Sequence, residues 1–263
     1  MNNKGNKRQI DAQHTDNSAI GTGRRSLLRA ALAGGAAIGT GIGLGTGSAT
    51  ATPRTPHPPG TRNWPWPPLT PAQAEAKLWE GNAAWKIQGQ ANPRQYETDR
   101  RLLVTNQTPW AMIVSCIDSR VPPELVFDQG LGDLFVARTA GQVLDGAVYG
   151  STLYGVQEKD VPLIVVLGHQ SCGAVKLAMH VVDGDPLPPD TSPRLLWLAE
   201  KIRPSIDPDK NSPDRENRAI NANVRRIRDE ILLEGPVAEK VRQGHLRVIG
   251  ARYELDTWGV TKL

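Results

Sequence analysis

Cys116 and Cys172 are the only cysteines in the chain, and each has a partner at short spacing that handles protons or metals. In Cys116-Ile-Asp118-Ser-Arg120 a carboxylate follows the first thiol by two residues and a guanidinium follows the carboxylate by two more. In His169-Gln-Ser-Cys172-Gly173 an imidazole precedes the second thiol by three. Thiolate and imidazole donors suit zinc, and Cys116, His169 and Cys172 supply three of the four positions of its tetrahedron. Three protein ligands leave one position for water, the arrangement of a catalytic rather than a structural site. Asp118 either fills that position or stays outside it, where the planar fork of Arg120 holds the carboxylate off the metal and aims it at the water.

For the two segments to converge, buried strands must deliver them to one end of a sheet. Short apolar runs at 111–114, 134–137, 163–167 and 246–249 read as buried strands, and Cys116 and His169 each follow one of them. Between the runs lie helical stretches at 146–158, 172–182, 193–202 and 218–233, and Thr70-Pro71 opens an earlier helix over 71–86 as N-cap and first-turn proline. The stretches 183–189 and 204–214 read as loops, and 253–260 as a terminal hairpin or edge strand with Gly259 near its turn. The alternation predicts an α/β fold with a mostly parallel central sheet flanked by helices and an N-terminal helical arm. In such sheets ligands gather at the carboxyl ends of the strands, where both segments fall.

The formal charge of +4 belongs to the first 51 residues, which hold six bases and two acids and leave 25 of each for the rest. A neutral remainder without a reading motif excludes nucleic acid as a partner. Gly23-Arg24-Arg25-Ser26-Leu27-Leu28-Arg29 opens a Gly/Ala-rich apolar run that ends in Ala49-Thr50-Ala51, the parts of a cleaved export signal. The paired arginines and the weakly apolar middle are of the twin-arginine type, and the run is too glycine-rich for a membrane span. The expected domains are therefore a signal at 1–51, a proline-rich arm at 52–69 that includes Trp64-Pro-Trp-Pro-Pro68, and a catalytic domain at 70–263. The expected location is outside the cytoplasm: secreted, periplasmic or held at the cell wall. In an exported chain two cysteines also fit a disulfide, which requires neither His169 nor Asp118, so a disulfide-stabilised binding module is a competing reading.

C-x-D-S-R followed about fifty residues later by H-x-x-C-G resembles the β-carbonic anhydrase family. So do Leu78-Trp-Glu-Gly81-Asn82, Arg138-Thr-Ala-Gly141 and Val165-Val-Leu-Gly-His169, which extend the resemblance over about residues 70–260. The resemblance implies one zinc per subunit on Cys116, His169 and Cys172, an activating Asp118/Arg120 pair, and Asp118 as a fourth ligand in a closed, inactive state. It implies that Gln129 hydrogen-bonds substrate or bicarbonate from the neighbouring subunit and that Tyr154 lines an apolar substrate pocket. It implies reversible hydration of carbon dioxide with zinc-bound hydroxide as the nucleophile, in a homodimer or a dimer of dimers. Hydrolysis of COS or CS2 on the same scaffold is the alternative chemistry. Regulated members carry a tryptophan three residues before the first zinc cysteine; here Ile113 stands there, with Trp110 six before, which implies that the open form dominates. His180 and His245 are candidate proton shuttles.

Overall fold

The structure is a computed structural model that describes residues 68–263. The leader and nearly all of the proline-rich arm, with Trp64 and Trp66, lie outside the described residues. Helix α1 (Pro71–Lys86) starts at Thr70, whose hydroxyl accepts from the Gln73 amide while the Gln73 side chain accepts from the Thr70 amide. This reciprocal box satisfies two amides that the helix itself leaves unpaired. Among the described residues no helix is long and apolar enough to cross a membrane.

Five strands form one sheet: β1 (Ala111–Cys116), β2 (Leu134–Thr139), β3 (Leu163–His169), β4 (Arg247–Tyr253) and β5 (Val260–Lys262). Their spatial order is β2-β1-β3-β4-β5, with the first four parallel and β5 antiparallel at the edge. Every residue of β1 and β3 is buried because helices cover both faces, whereas every residue of the edge strand β2 is half-buried. Strand alternation divides the core. Ile113, Val165 and Ile249 face α1, with Leu78 and Phe127. Met112, Val114, Ile164 and Val166 face the other way, onto α4 (Gly146–Gln157), α7 (Arg215–Leu232) and α8 (Gly235–Arg242).

The mostly parallel sheet and its flanking helices match the expectation, and α1 and α6 (Pro193–Ile202) have the expected bounds. The remaining bounds differ for physical reasons. β1 and β3 run two residues beyond their apolar runs because the ladder carries on through Ser115, Cys116, Gly168 and His169. β4 extends through Gly250 to Tyr253 and turns back into β5, so the expected hairpin exists with its second strand three residues long. Three helices were not expected: α2 (Glu97–Leu102), the single turn α3 (Pro123–Val126) and α8. α5 (Gly173–Asp183) begins one residue after Cys172.

Helix α7 lies close against the carboxyl half of the sheet. A Cβ on Gly168 would come within 2.5 Å of Val224 Cγ2, and one on Gly250 within 2.9 Å of Val224 Cγ1. Both strands therefore need glycine under the same valine. Gly250→Ala is expected to destabilise the protein by about 1–3 kcal/mol through overpacking. Combined with Val224→Ala it should cost less than the two changes summed, as read from denaturant midpoints. Strict additivity would contradict this packing.

Candidate metal centre

β1 ends at Cys116 and β3 at His169, and these strands are neighbours in parallel, so both residues emerge at the same edge of the sheet. Cys172 arrives from the turn between β3 and α5, standing at the N-terminus of that helix. The two sulfurs and one imidazole nitrogen all lie within 4.8 Å of one another, and all three residues are buried. The sulfurs are 4.0 Å apart, about twice a disulfide bond, and both cysteines are free thiols. The geometry thus supports a metal group over the disulfide reading.

The donors fit a metal on their own terms. His169 Nδ1 lies 2.9 Å from the Gln170 carbonyl, which makes it the protonated nitrogen and leaves the lone pair on Nε2. Nε2 is buried and has no hydrogen-bond partner. Cys172, 4.0 Å away, and the Gly141 amide, at 3.4 Å, direct protons at Cys116 Sγ. The proton from Cys172 contributes most, and together these donors overcome burial and hold the Cys116 thiol down at about 4. Cys172 is pushed up in turn, first by that same bond and then by burial. Val143, Val175, Ala199, Ile202 and Ile220 pack around the two cysteines as an apolar wall.

Asp118 stands beside this group. Arg120 grips it with two bonds, Nε to Oδ1 at 2.9 Å and Nη2 to Oδ2 at 2.7 Å, and the Arg120 amide adds a third to Oδ1 at 3.0 Å. The guanidinium bonds outweigh burial and hold the carboxyl down at about 2. Asp118 Oδ2 is 3.8 Å from His169 Nε2, but the carboxylate stays outside the group whose ligand atoms converge within 4.8 Å.

The other expected residues are not drawn to this point within one chain. Gln129 follows α3 and is buried; its Nε2 donates to the Phe127 carbonyl at 2.6 Å, and its Oε1 has no partner. Tyr154, on α4, is half exposed, with its ring 6.1 Å from that of Phe135. It lines a cavity of about 580 Å³ with Phe135, Ala137, Ala147 and Gly150, and none of the three metal-group residues lines that cavity. His180 bonds Asp185 at 2.8 Å at the end of α5, and His245 is exposed after α8.

Two supports escaped the sequence reading of roles. Arg138, at the end of β2, donates to the carbonyls of Cys116 at 2.8 Å and Asp118 at 2.6 Å, so one guanidinium holds the backbone of the whole Cys116–Asp118 turn. Gly141 has φ +65, a conformation that favours glycine, and this turn aims its amide at Cys116 Sγ. Its own carbonyl is held by Asn223 of α7 at 2.8 Å. A charged residue ending a strand that pairs with β1 was the available signal for Arg138; nothing local signals Asn223.

Known proteins agree with this arrangement. Residues 111–260 match the family model described as carbonic anhydrase. Carbonic anhydrase 2 of Mycobacterium tuberculosis is 37% identical over 194 residues, covering 72% of this chain and 91% of that protein. Among solved structures, the β-carbonic anhydrase CcaA superimposes with a TM-score of 0.57 at 22% identity, over 72% of this chain and 94% of that one. One of the β-carbonic anhydrases of Sordaria macrospora described as tetrameric gives 0.54 at 22%, over 73% of this chain and 94% of its own. At that identity the two structures speak for the fold alone. The family match spans β1 to β4, the Cys116 and His169–Cys172 segments and the Asp118/Arg120 turn, and the chain belongs to the carbonic anhydrase family.

Proposed function

We propose that this chain catalyses the reversible hydration of carbon dioxide to bicarbonate and a proton, with one zinc per subunit on Cys116, His169 and Cys172. The observation that carries the reading is a buried group of two thiols and a partnerless imidazole nitrogen in a chain of this family. Zinc in such a donor set supplies the Lewis acidity that brings the pKa of water from about 15.7 to about 7. Asp118, held ionised by Arg120, accepts a hydrogen bond from the attacking water and so directs its lone pair at the carbon of CO2. The oxygen bonds to carbon, one C=O pair moves onto oxygen, and the proton departs to solvent. Arg120 acts through Asp118, holding the carboxylate apart from the three donors, where it would leave room for water beside a metal held by them.

Gln129 and Tyr154 serve this chemistry from the assembled enzyme. With Nε2 committed to Phe127, the Gln129 Oε1 is an acceptor for the hydroxyl of bicarbonate in the neighbouring subunit. Tyr154 belongs to the apolar route by which CO2 enters. The assembly is a homodimer or a dimer of dimers, a reading supported by the half-buried edge strand β2 and by the tetrameric relatives of Sordaria macrospora. The paired Arg24-Arg25 and the Ala49-Thr50-Ala51 site support export of the enzyme by a twin-arginine-type signal, to act outside the cytoplasm.

The purified chain is expected to hydrate CO2 and to contain one zinc per subunit. Cys172→Ser should lose both metal and activity, as read by metal analysis beside stopped-flow hydration. Full metal content and activity in that variant would contradict the site. Arg120→Ala should keep its zinc while kcat falls about 10–100-fold, the usual range for a group that orients a metal site from outside the ligand set. An unchanged kcat would remove Arg120 from the mechanism.

A further inference from the structure

We propose that Gln170 is a positioning residue for the metal histidine, and that through it the C-terminal hairpin is part of the apparatus that holds the metal. The inference rests on reading Cys116, His169 and Cys172 as metal ligands. The Gln170 carbonyl, 2.9 Å from His169 Nδ1, decides which imidazole nitrogen keeps its lone pair and how the ring is turned. That carbonyl sits past the end of β3 and before α5, so its peptide must be steadied from elsewhere.

The steadying bonds come from the β4–β5 hairpin, about 85 residues along the chain. The Gln170 amide donates to the Tyr253 carbonyl at 2.9 Å, one step beyond the β3–β4 ladder. The side chain then reaches the turn: Oε1 accepts from the amides of Leu255 at 2.8 Å and Asp256 at 3.3 Å, and Nε2 donates to Asp256 Oδ2 at 3.3 Å. This contact needs an acceptor for two amides and a donor for one carboxylate, which a primary amide supplies together.

The hairpin is itself pinned to α1. Asn82 donates to the Trp258 carbonyl at 3.0 Å and accepts from the Val260 amide at 2.9 Å, while its second donor contact is the Val126 carbonyl at 3.1 Å. The Glu254 amide closes the turn on Gly259 at 2.8 Å. A line of direct bonds therefore runs from the first described helix, through the hairpin and Gln170, to the imidazole. It reaches the imidazole at Nδ1, whereas Asp118 stands beside Nε2.

The test uses the metal-loaded full chain and two readouts other than activity: the rate at which a chelator strips the metal, and the visible spectrum of the cobalt(II)-substituted protein. Gln170→Leu should release metal about 10–100-fold faster than the parent and shift the cobalt bands. Gln170→Glu combined with Asp256→Asn, which exchanges donor and acceptor across the same contact, should return both towards the parent. Parent-like release and spectrum in Gln170→Leu would overturn the proposal. If that variant does not fold, the parent answers by reciprocity: metal removal should speed hydrogen exchange at the Leu255 and Asp256 amides, and unchanged exchange at both would overturn it. A parent chain that takes up no metal would overturn the ligand reading itself, a distinct result.

Discussion

The pairing of β1 with β3 in one register, Ser115 opposite Leu167, brings Cys116 and His169 out at the carboxyl edge of the sheet, one residue step apart in height. A slip of one residue would turn either side chain to the other face. The strands resist that slip because both of their faces are buried: Ile113 and Val165 cannot exchange places with Met112 and Ile164 without repacking two separate cores. The third donor follows from the same placement. The turn after His169 is short, and it returns Cys172 to the edge as the residue that precedes α5.

Around the donors, two polar side chains fix the backbone. Arg138 holds the Cys116–Asp118 turn from β2, and Asn223 holds the Gly141 turn from α7. Each bond joins a loop at the centre to a rigid element of the sheet or of its cover. A buried polar nitrogen without a partner costs about 1–3 kcal/mol, so His169 Nε2 would be a liability in a site with no ligand to offer. Two free, buried thiols 4.0 Å apart beside that nitrogen are a second sign of a site built to hold a metal.

The parts legible in the sequence were those with strong local chemistry. Apolar runs located the four parallel strands, Thr70-Pro71 located the start of α1, and two cysteines with a histidine between them marked the metal group. Three helices were hidden. α2 buries none of its side chains and so has no apolar stripe; α3 is one turn behind two prolines; α8 begins at Gly235-Pro236, which reads as a break although proline is favourable in a first turn. The side-chain contacts of Gln170 and Asn82 with the hairpin span 85 to 178 residues and have no periodicity to betray them. Gln129 and Tyr154 were expected from family resemblance, and one chain alone does not bring them to the metal group.

The central claim is the identity of the donors around the metal, and X-ray absorption at the zinc edge of the purified chain reads it directly. Cys116, His169 and Cys172 predict two sulfur scatterers at about 2.3 Å and one imidazole nitrogen at about 2.0–2.1 Å, with one further light atom. A zinc shell of light atoms only, with no sulfur, would contradict it.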